Sequence, residues 1–125
     1  MKRINYNQLN SKQKENYNFQ KVAAVLADYG FTCLRLSDDW QGADFLAYHV
    51  DGETTLKVQL KGRLTLEEKY VCKNIHIAFP CDGHWYLYPH DEAFAYFTGH
   101  GRQGAFSCRY IPAKHQRFMD QYRIT

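Results

Sequence analysis

The chain has 125 residues, of which 45% are hydrophobic, and this is enough for one compact domain with a core but too little for two. We therefore expect residues 1–125 to form a single domain. No apolar run reaches the length of a membrane span, and residues 1–7 lack the apolar core of a signal peptide, so we expect a cytoplasmic protein with no membrane partner. The net charge is +3, with basic residues concentrated at both ends of the chain and most acids in the middle. That distribution fits either a phosphate-binding rim around a cation site or ordinary surface charge.

The cysteines and histidines do not form a recognisable metal-binding pattern. The four cysteines are widely spaced and contain no CxxC pair, which favours free thiols over a zinc ribbon or a redox motif. The histidines show no HxH or HxxxH pair. A zinc site built from scattered Cys and His side chains is therefore the least favoured functional alternative.

Residues 11–29 carry the pattern of an amphipathic helix. Apolar side chains recur at steps of three and four residues from Phe19 onward, a polar residue at position 10 or 11 can cap the start, and Gly30 can end the helix. Glu15 lies on the same stripe, four residues before Phe19. This acid either interacts favourably with the helix N-terminus or reaches over the end of the sheet to act as a metal ligand.

Residues 31–36 predict a short strand, and the polar residues 37–39 are expected to break it. Asp38 and Asp39 are second-choice metal ligands, because acids in a loop are more often caps or solvated charges. Trp40 is expected to be a hydrophobic anchor beside the following hairpin.

A β-hairpin is predicted over residues 43–61. Its first half is β-prone, Asp51-Gly52 is a strong short-turn signal, and its second half alternates apolar and polar residues. Because strand side chains alternate between faces, Gln59 and Lys61 lie on the same face. If the register follows the turn, Asp44 approaches both from the paired strand. The sequence thus predicts that a carboxylate, an amide oxygen and an ammonium meet at one place.

A second hairpin is predicted over residues 75–88. Two β-prone runs flank a turn at residues 80–83, and Trp85 faces the core. Tyr86 and Tyr88 then lie on the opposite face, where they either pack or stack on nucleic-acid bases. The preceding segment, residues 64–74, fits a short helix, an irregular crossover or an extra strand, and the sequence does not decide between them.

The pattern of the last part of the chain predicts helices at residues 89–99 and 112–122. The connection between them begins with a basic loop at residues 99–104. Arg102 lies in this loop, which either follows a nucleic-acid backbone or merely connects the helices. Arg63, two residues after Lys61, either clamps a phosphate or lies on the surface. Lys14, in the basic first segment, is a third candidate for contacting nucleic acid.

The predicted hairpin gives the chain a resemblance to the PD-(D/E)XK nuclease superfamily. Residues 42–45 (Gly-Ala-Asp-Phe) resemble its first motif, an Asp on one strand, and residues 58–61 (Val-Gln-Leu-Lys) resemble its second, Glu-x-Lys or Gln-x-Lys on the next strand. Two positions depart from the commoner pattern, because no Pro precedes Asp44 and Gln59 stands where Glu is usual. In this the chain is similar to the Gln-x-Lys variant of group I intron homing endonucleases. The motif is short and degenerate, and the similarity covers residues 11–97.

The resemblance implies a restriction-endonuclease-like α/β sandwich, with a mixed central sheet flanked by helices, and the predicted order of elements agrees with it. It implies Asp44, Gln59, Lys61 and Glu15 as catalytic residues. Mg²⁺, or Mn²⁺, would be held by oxygens of Asp44, Glu15, Gln59 and the Leu60 carbonyl. With a neutral amide in place of one carboxylate, this site is expected to bind metal weakly without substrate.

The function implied is metal-dependent phosphodiester hydrolysis of DNA by an endonuclease. A homodimer is one way for a small domain to cut both strands. The alternative is a catalytically inactive module of the same fold that binds nucleic acid or a protein partner, because a fold by itself does not establish a function.

Overall fold

A computed structural model describes residues 1–101 and 104–125 of the chain. Its longer helices and its strands follow in chain order: α1 (Ser11–Ala27), β1 (Phe31–Trp40), β2 (Ala43–His49), β3 (Thr55–Leu60), β4 (Leu64–Leu66), β5 (Ile75–Cys81), β6 (His84–Pro89), α2 (His90–Gly99), β7 (Phe106–Cys108) and α3 (Gln116–Met119). Short 3₁₀ helices lie at Tyr6–Gln8, Glu68–Tyr70, Ala113–His115 and Asp120–Tyr122. The main sheet has the order β1-β2-β3-β5-β6, and β4 pairs with β7 in a small second sheet.

The first helix is confirmed and ends two residues earlier than predicted, at Ala27. Asn10 caps it through a reciprocal pair of hydrogen bonds with Gln13, each 2.9 Å long. Gly30 follows the helix with φ of +88°, a conformation that glycine adopts without steric cost. Phe19, like the other apolar residues on its stripe, is buried against the sheet.

The first strand is longer than predicted. The expected break at residues 37–39 is confirmed only in part: β1 continues to Trp40, but its pairing with β2 is interrupted after Arg35 and resumes at Trp40–Ala43. Gln41 and Gly42 make the tight turn between the strands, with φ of 53° and 85°. The expected anchoring of Trp40 is wrong, since 49% of this residue is exposed. The polar segment therefore stays extended but interrupts the pairing of β1 with β2.

The main sheet is mixed and carries a core on each face. Antiparallel pairs join all neighbouring strands except β3 and β5, which are parallel. Helix α1 packs on one face, where its apolar stripe meets Phe45, Val58 and Ala78; we call this the α1 core. Helix α2, the small sheet and the C-terminal turns cover β5 and β6 on the opposite face, where Ile77 and Phe79 lie; we call this the α2 core.

The second hairpin is confirmed, with a shorter turn than predicted. Strands β5 and β6 pair as far as Cys81–His84, leaving Asp82 and Gly83 in the turn. Trp85 packs into the α1 core as expected. Stacking of bases on Tyr86 and Tyr88 is ruled out, because these residues are 4% and 0% exposed within the α2 core. Helix α2 follows β6 directly, but its packing direction and the small sheet formed by β4 and β7 cannot be read from the strand pattern, so that pattern alone did not decide between packing and stacking.

The remaining predictions are confirmed in part. The undecided segment contains both a strand, β4, and a 3₁₀ helix. Helix α2 begins one residue later than predicted, at His90, and ends where predicted. The predicted final helix is divided into α3 and a 3₁₀ helix on either side of it. The basic loop with Arg102 falls partly outside the described residues.

Candidate active site at the divergence of two strands

The candidate site lies where β2 and β3 separate. The two strands pair from Tyr48–Thr55 to Phe45–Val58, which is the predicted register, and Asp44 is the next residue of β2. One Asp44 carboxylate oxygen accepts a hydrogen bond of 2.8 Å from the Leu60 N–H. A side chain thus takes the position of a backbone partner, and the carboxylate is held at the end of the sheet.

The electrostatic surroundings of Asp44 disfavour its charged form. Burial raises the pKa of its carboxyl, and the negative charges of Glu15 and Asp39 raise it further. The Leu60 hydrogen bond and the Lys61 ammonium lower the pKa but do not cancel the rise. Glu15 and Asp39 are therefore near enough to disfavour the charge on Asp44, and a bound cation would relieve this repulsion.

Gln59 is buried with an unsatisfied oxygen. The residue is 9% exposed, and its Oε1 has no hydrogen-bond partner among the described residues. A buried acceptor without a partner costs about 1–3 kcal/mol, so such groups are rare in folded proteins. Gln59 follows Val58, the last residue of β3 that pairs with β2, and the register brings it level with Asp44. An amide oxygen and a carboxylate thus share one end of the sheet.

Lys61 directly follows β3 and is held from two sides. Its Nζ lies 3.8 Å from Glu67 Oε1 and 5.5 Å from the centre of the Tyr70 ring. The Glu67 N–H in turn donates a 3.0 Å hydrogen bond to Nε2 of His90, which is fully buried. Sequence analysis missed Glu67 and Tyr70, because they lie in the segment whose structure it left undecided. The spacing of Glu67 from Lys61 gave no signal of this contact.

Glu15 lies on α1 near the site, and its carboxylate forms an ion pair with Arg35. Arg35 of β1 donates to it at 2.6 Å, and Arg35 also donates to the Asn16 side chain. The Glu15 side chain is 48% exposed, so this ion pair is only partly shielded from water. The structure therefore brings Glu15 close enough to influence the pKa of Asp44, with an arginine as its direct partner.

The three basic candidates differ in position. Lys14 lies on α1 with its Nζ 5.3 Å from the centre of the Tyr6 ring, beside a cleft that also reaches Lys61. Arg63 is exposed, and its carbonyl accepts a hydrogen bond of 2.8 Å from Thr65 Oγ1. Arg102 lies outside the described residues.

The donor set at Asp44 and Gln59 fits a hard divalent cation. Asp44 has a carboxylate oxygen beyond the one bound to Leu60, and Gln59 Oε1 is buried without a partner. Within residues 1–101 and 104–125, no three His, Cys, Asp or Glu side chains are grouped so as to hold a metal ion. A metal at this site would therefore need the Gln59 oxygen or a backbone carbonyl, and a Cys/His zinc site has no support in the described part of the chain.

The mixed sheet, helices on both faces and the divergence at Asp44 define a restriction-endonuclease-like fold, as predicted. The chain is similar to the bacterial homing endonuclease I-Ssp6803I, with a TM-score of 0.51 and 18% identity over 92% of this chain and 88% of that one. It is also similar to Hjc, a Holliday junction resolvase from the archaeal hyperthermophile Archaeoglobus fulgidus, with a TM-score of 0.48 and 15% identity over 71% and 85%. No protein-family model and no curated protein matches the chain.

Within its described residues, the chain has no helix that combines the length and the apolar character needed to cross a bilayer.

Proposed function

We propose that this protein is a metal-dependent DNA endonuclease, with its site at Asp44, Gln59 and Lys61. The observation that carries the proposal is the pairing of a half-buried carboxylate with the unsatisfied Gln59 oxygen where β2 and β3 diverge. The fold supports it, because a structure with this fold is named a homing endonuclease. The two cores share one sheet, which supports the interpretation of residues 1–125 as a single domain.

In this proposal Asp44, the Gln59 amide oxygen and the Leu60 carbonyl would hold Mg²⁺ or Mn²⁺, and Glu15 would be a further ligand if released from Arg35. When bound, the cation supplies polarisation of the phosphate and a lower pKa for a coordinated water. Because Gln59 is neutral, the ligand set carries less negative charge than a site with two carboxylates from the strands. We therefore expect metal affinity to depend strongly on the substrate phosphate.

Lys61 completes the proposed chemistry as a cation directed at the reacting phosphate. Its ammonium orients the attacking water and offsets the charge that develops on the phosphate oxygens. Glu67 and the Tyr70 ring hold the ammonium near the end of β3, so it has little freedom to lose when substrate binds. Arg63, Lys14 and Arg102 are proposed to contact the DNA backbone, and a homodimer would place two such sites on the two strands.

The test is cleavage of supercoiled and branched DNA in Mg²⁺, Mn²⁺ or EDTA, read on a gel. We expect the wild type to cut with either metal and to lose activity in EDTA. Lys61→Ala is expected to lower the rate by about 10²-fold or more, the scale on which removal of one charge-stabilising group acts. Lys57→Ala is the matched control, because Lys57 lies earlier on the same strand and its Nζ donates to Gln41 Oε1 at 3.1 Å. This variant is expected to cut at close to the wild-type rate.

Two outcomes would contradict the proposal. Equal losses in the two lysine variants would show that Lys61 has no special role. A folded wild type that cuts none of the substrates would favour the inactive binding module, in which the ion pair of Glu15 with Arg35 is structural. That module would still bind DNA with a steep dependence on salt.

A further inference from the structure

A cleft of about 400 Å³ opens beside the candidate site, at the N-terminal end of α1. We call it the N-terminal cleft. It is lined by the following residues from three segments: Tyr6, Ser11, Lys14, Glu15, Asn18, Leu60, Lys61 and Gly62. Leu60 and Lys61 belong both to this cleft and to the site at the end of β3. A nucleic-acid strand bound at the site could therefore extend directly into the cleft.

The charge of the N-terminal cleft favours an anion. Lys14 and Lys61 are the two cationic residues of its lining, and the Lys61 ammonium lies 3.8 Å from Glu67 Oε1. The one acid in the lining, Glu15, is opposed by Arg35 at 2.6 Å and by Lys12 at 3.9 Å. Cations thus exceed anions around the cleft, as a phosphate-binding surface requires.

The wall that carries Lys14 is held in place before any ligand binds. Lys14 Nζ lies 5.3 Å from the centre of the Tyr6 ring, and the Tyr6 hydroxyl accepts a 2.9 Å hydrogen bond from Asn18 Nδ2. The Tyr17 ring packs on the Tyr6 ring at 5.2 Å. Because these contacts occupy the ring, Tyr6 serves to position the lysine and not to stack on a base.

The opposite wall leaves room for a backbone to approach. Gly62 has no side chain, and a Cβ at this position would meet nothing within 4 Å. A sugar-phosphate chain can therefore pass close to the protein backbone directly after Lys61. The ligand that fits two lysine residues, a rigid polar wall and an open glycine is a backbone phosphate.

We propose that the N-terminal cleft binds one DNA phosphate, the neighbour along the strand of the phosphate at Asp44 and Gln59, with Lys14 as its cation. This inference rests on the proposed function for the identity of its ligand. It adds a second phosphate position to the site and gives the short 3₁₀ helix at Tyr6–Gln8 a role in DNA binding.

The first experiment measures binding of a fluorescent DNA duplex in EDTA across a series of NaCl concentrations. Lys14→Ala is expected to reduce the slope of log affinity against log salt by about one, the effect of losing one phosphate contact. Lys21→Ala is the matched control, because Lys21 lies on the same helix with its Nζ 5.2 Å from the Tyr17 ring, outside the cleft. Its slope is expected to equal that of the wild type. Equal slopes for the two variants would overturn the proposal.

The second experiment locates the phosphate. Duplexes with one uncharged methylphosphonate at successive positions are bound to wild type and to Lys14→Ala. We expect one position at which removing the charge weakens the wild type and leaves Lys14→Ala unchanged. If every position affects both proteins equally, Lys14 contacts no particular phosphate and the proposal fails. Gly62→Glu, which introduces a carboxylate into open space, is expected to weaken binding without loss of folding.

Failure of this inference is distinguishable from failure of the proposed function. Binding is measured in EDTA, so it does not depend on cleavage. Metal-dependent cleavage with equal salt slopes would leave the endonuclease standing and remove the phosphate position. A reduced slope for Lys14→Ala in a protein that never cuts would do the reverse. Absence of DNA binding by the wild type would overturn both.

Discussion

At the scale of single residues, Asp44 and Asp51 lie on one hairpin in opposite electrostatic situations. Burial, together with Glu15 and Asp39, raises the pKa of Asp44. Asp51 accepts hydrogen bonds from the N–H groups of Glu53 and Thr54, each 2.8 Å long, and these lower its pKa well below the ordinary range. Ionised Asp44 therefore opposes folding, whereas ionised Asp51 supports it.

We predict that Asp44→Asn increases the free energy of unfolding at pH 7 in EDTA while abolishing cleavage. The stabilising contribution of Asp44 is present below its unfolded pKa and is lost as the pH rises through its folded pKa, so neutral pH is where replacement helps most. Chemical denaturation at pH 7 and pH 3 measures the effect, and the gain should shrink at pH 3, below the ordinary aspartate pKa of about 3.9. A variant less stable than wild type at pH 7 would show that the Leu60 hydrogen bond outweighs burial.

Asp51→Asn is the control of opposite sign. Its contribution is present above the unfolded pKa and is lost as the pH falls through the folded pKa. The substitution is therefore expected to destabilise the protein at pH 7, with a smaller effect in acid. The same sign for both variants would indicate a general effect of removing a negative charge from the hairpin.

At the scale of elements, the turn between β1 and β2 fixes the approach of Asp44 to β3. Gly42 has φ of +85°, and a Cβ added there would overlap Ile75 Cδ1 and contact Tyr70. The turn is thus packed against the α2 core while the strand behind it lies on the α1 core. Close packing at this glycine requires the chain to enter β2 in one direction, and Asp44 follows two residues later.

Gly42→Ala is predicted to destabilise the fold more than Gly52→Ala does. Gly52 also has a positive φ, +75°, but a Cβ there meets nothing within 4 Å. The left-handed backbone alone costs an alanine about 1–2 kcal/mol, and the overlap with Ile75 adds about 1–3 kcal/mol at Gly42. Urea denaturation of both variants measures the difference. Equal losses would show that Ile75 moves aside at little cost and that packing does not restrain the turn.

At the scale of the whole molecule, the candidate site joins groups from both faces of the sheet. Asp44 and Gln59 lie at the strand ends, Glu15 comes from α1, and Glu67 comes from the connection that packs on the α2 core. Buried His90 ties the Glu67 backbone to helix α2. The position of the Lys61 ammonium thus depends on contacts between segments far apart in the chain.

Glu67→Gln is expected to reduce the turnover number about tenfold, which corresponds to about 1.4 kcal/mol in the barrier, with little change in KM. The substitution removes the charge that holds Lys61 and keeps the backbone bond to His90. Glu68→Gln is the control, because Glu68 is the adjacent exposed acid. Steady-state cleavage kinetics of both variants measure the effect. If Glu67→Gln and Glu68→Gln changed KM equally and left the turnover number normal, the prediction would be wrong. Glu67 would then act on DNA binding only through its charge.

Helix α1, both hairpins and the register of Asp44 with β3 could be predicted from the sequence, because each depends on neighbours within a few residues. Capping at Asn10, the glycine after α1 and strand alternation up to Gln59 and Lys61 are local signals. The extension of β1 to Trp40 escaped prediction, since it depends on a second contact with β2 at Ala43, beyond an interruption in the pairing.

Tertiary structure alone decided which groups surround the acid and the lysine. The sequence by itself determined that a carboxylate, an amide and an ammonium share the end of a hairpin. Only packing on both faces determined that Arg35 holds Glu15, that Glu67 holds Lys61 and that Tyr88 is buried. These contacts join segments that are far apart in sequence, and no sequence periodicity indicates that they meet. Packing of the helices and connections on the two faces of the sheet brings these segments together.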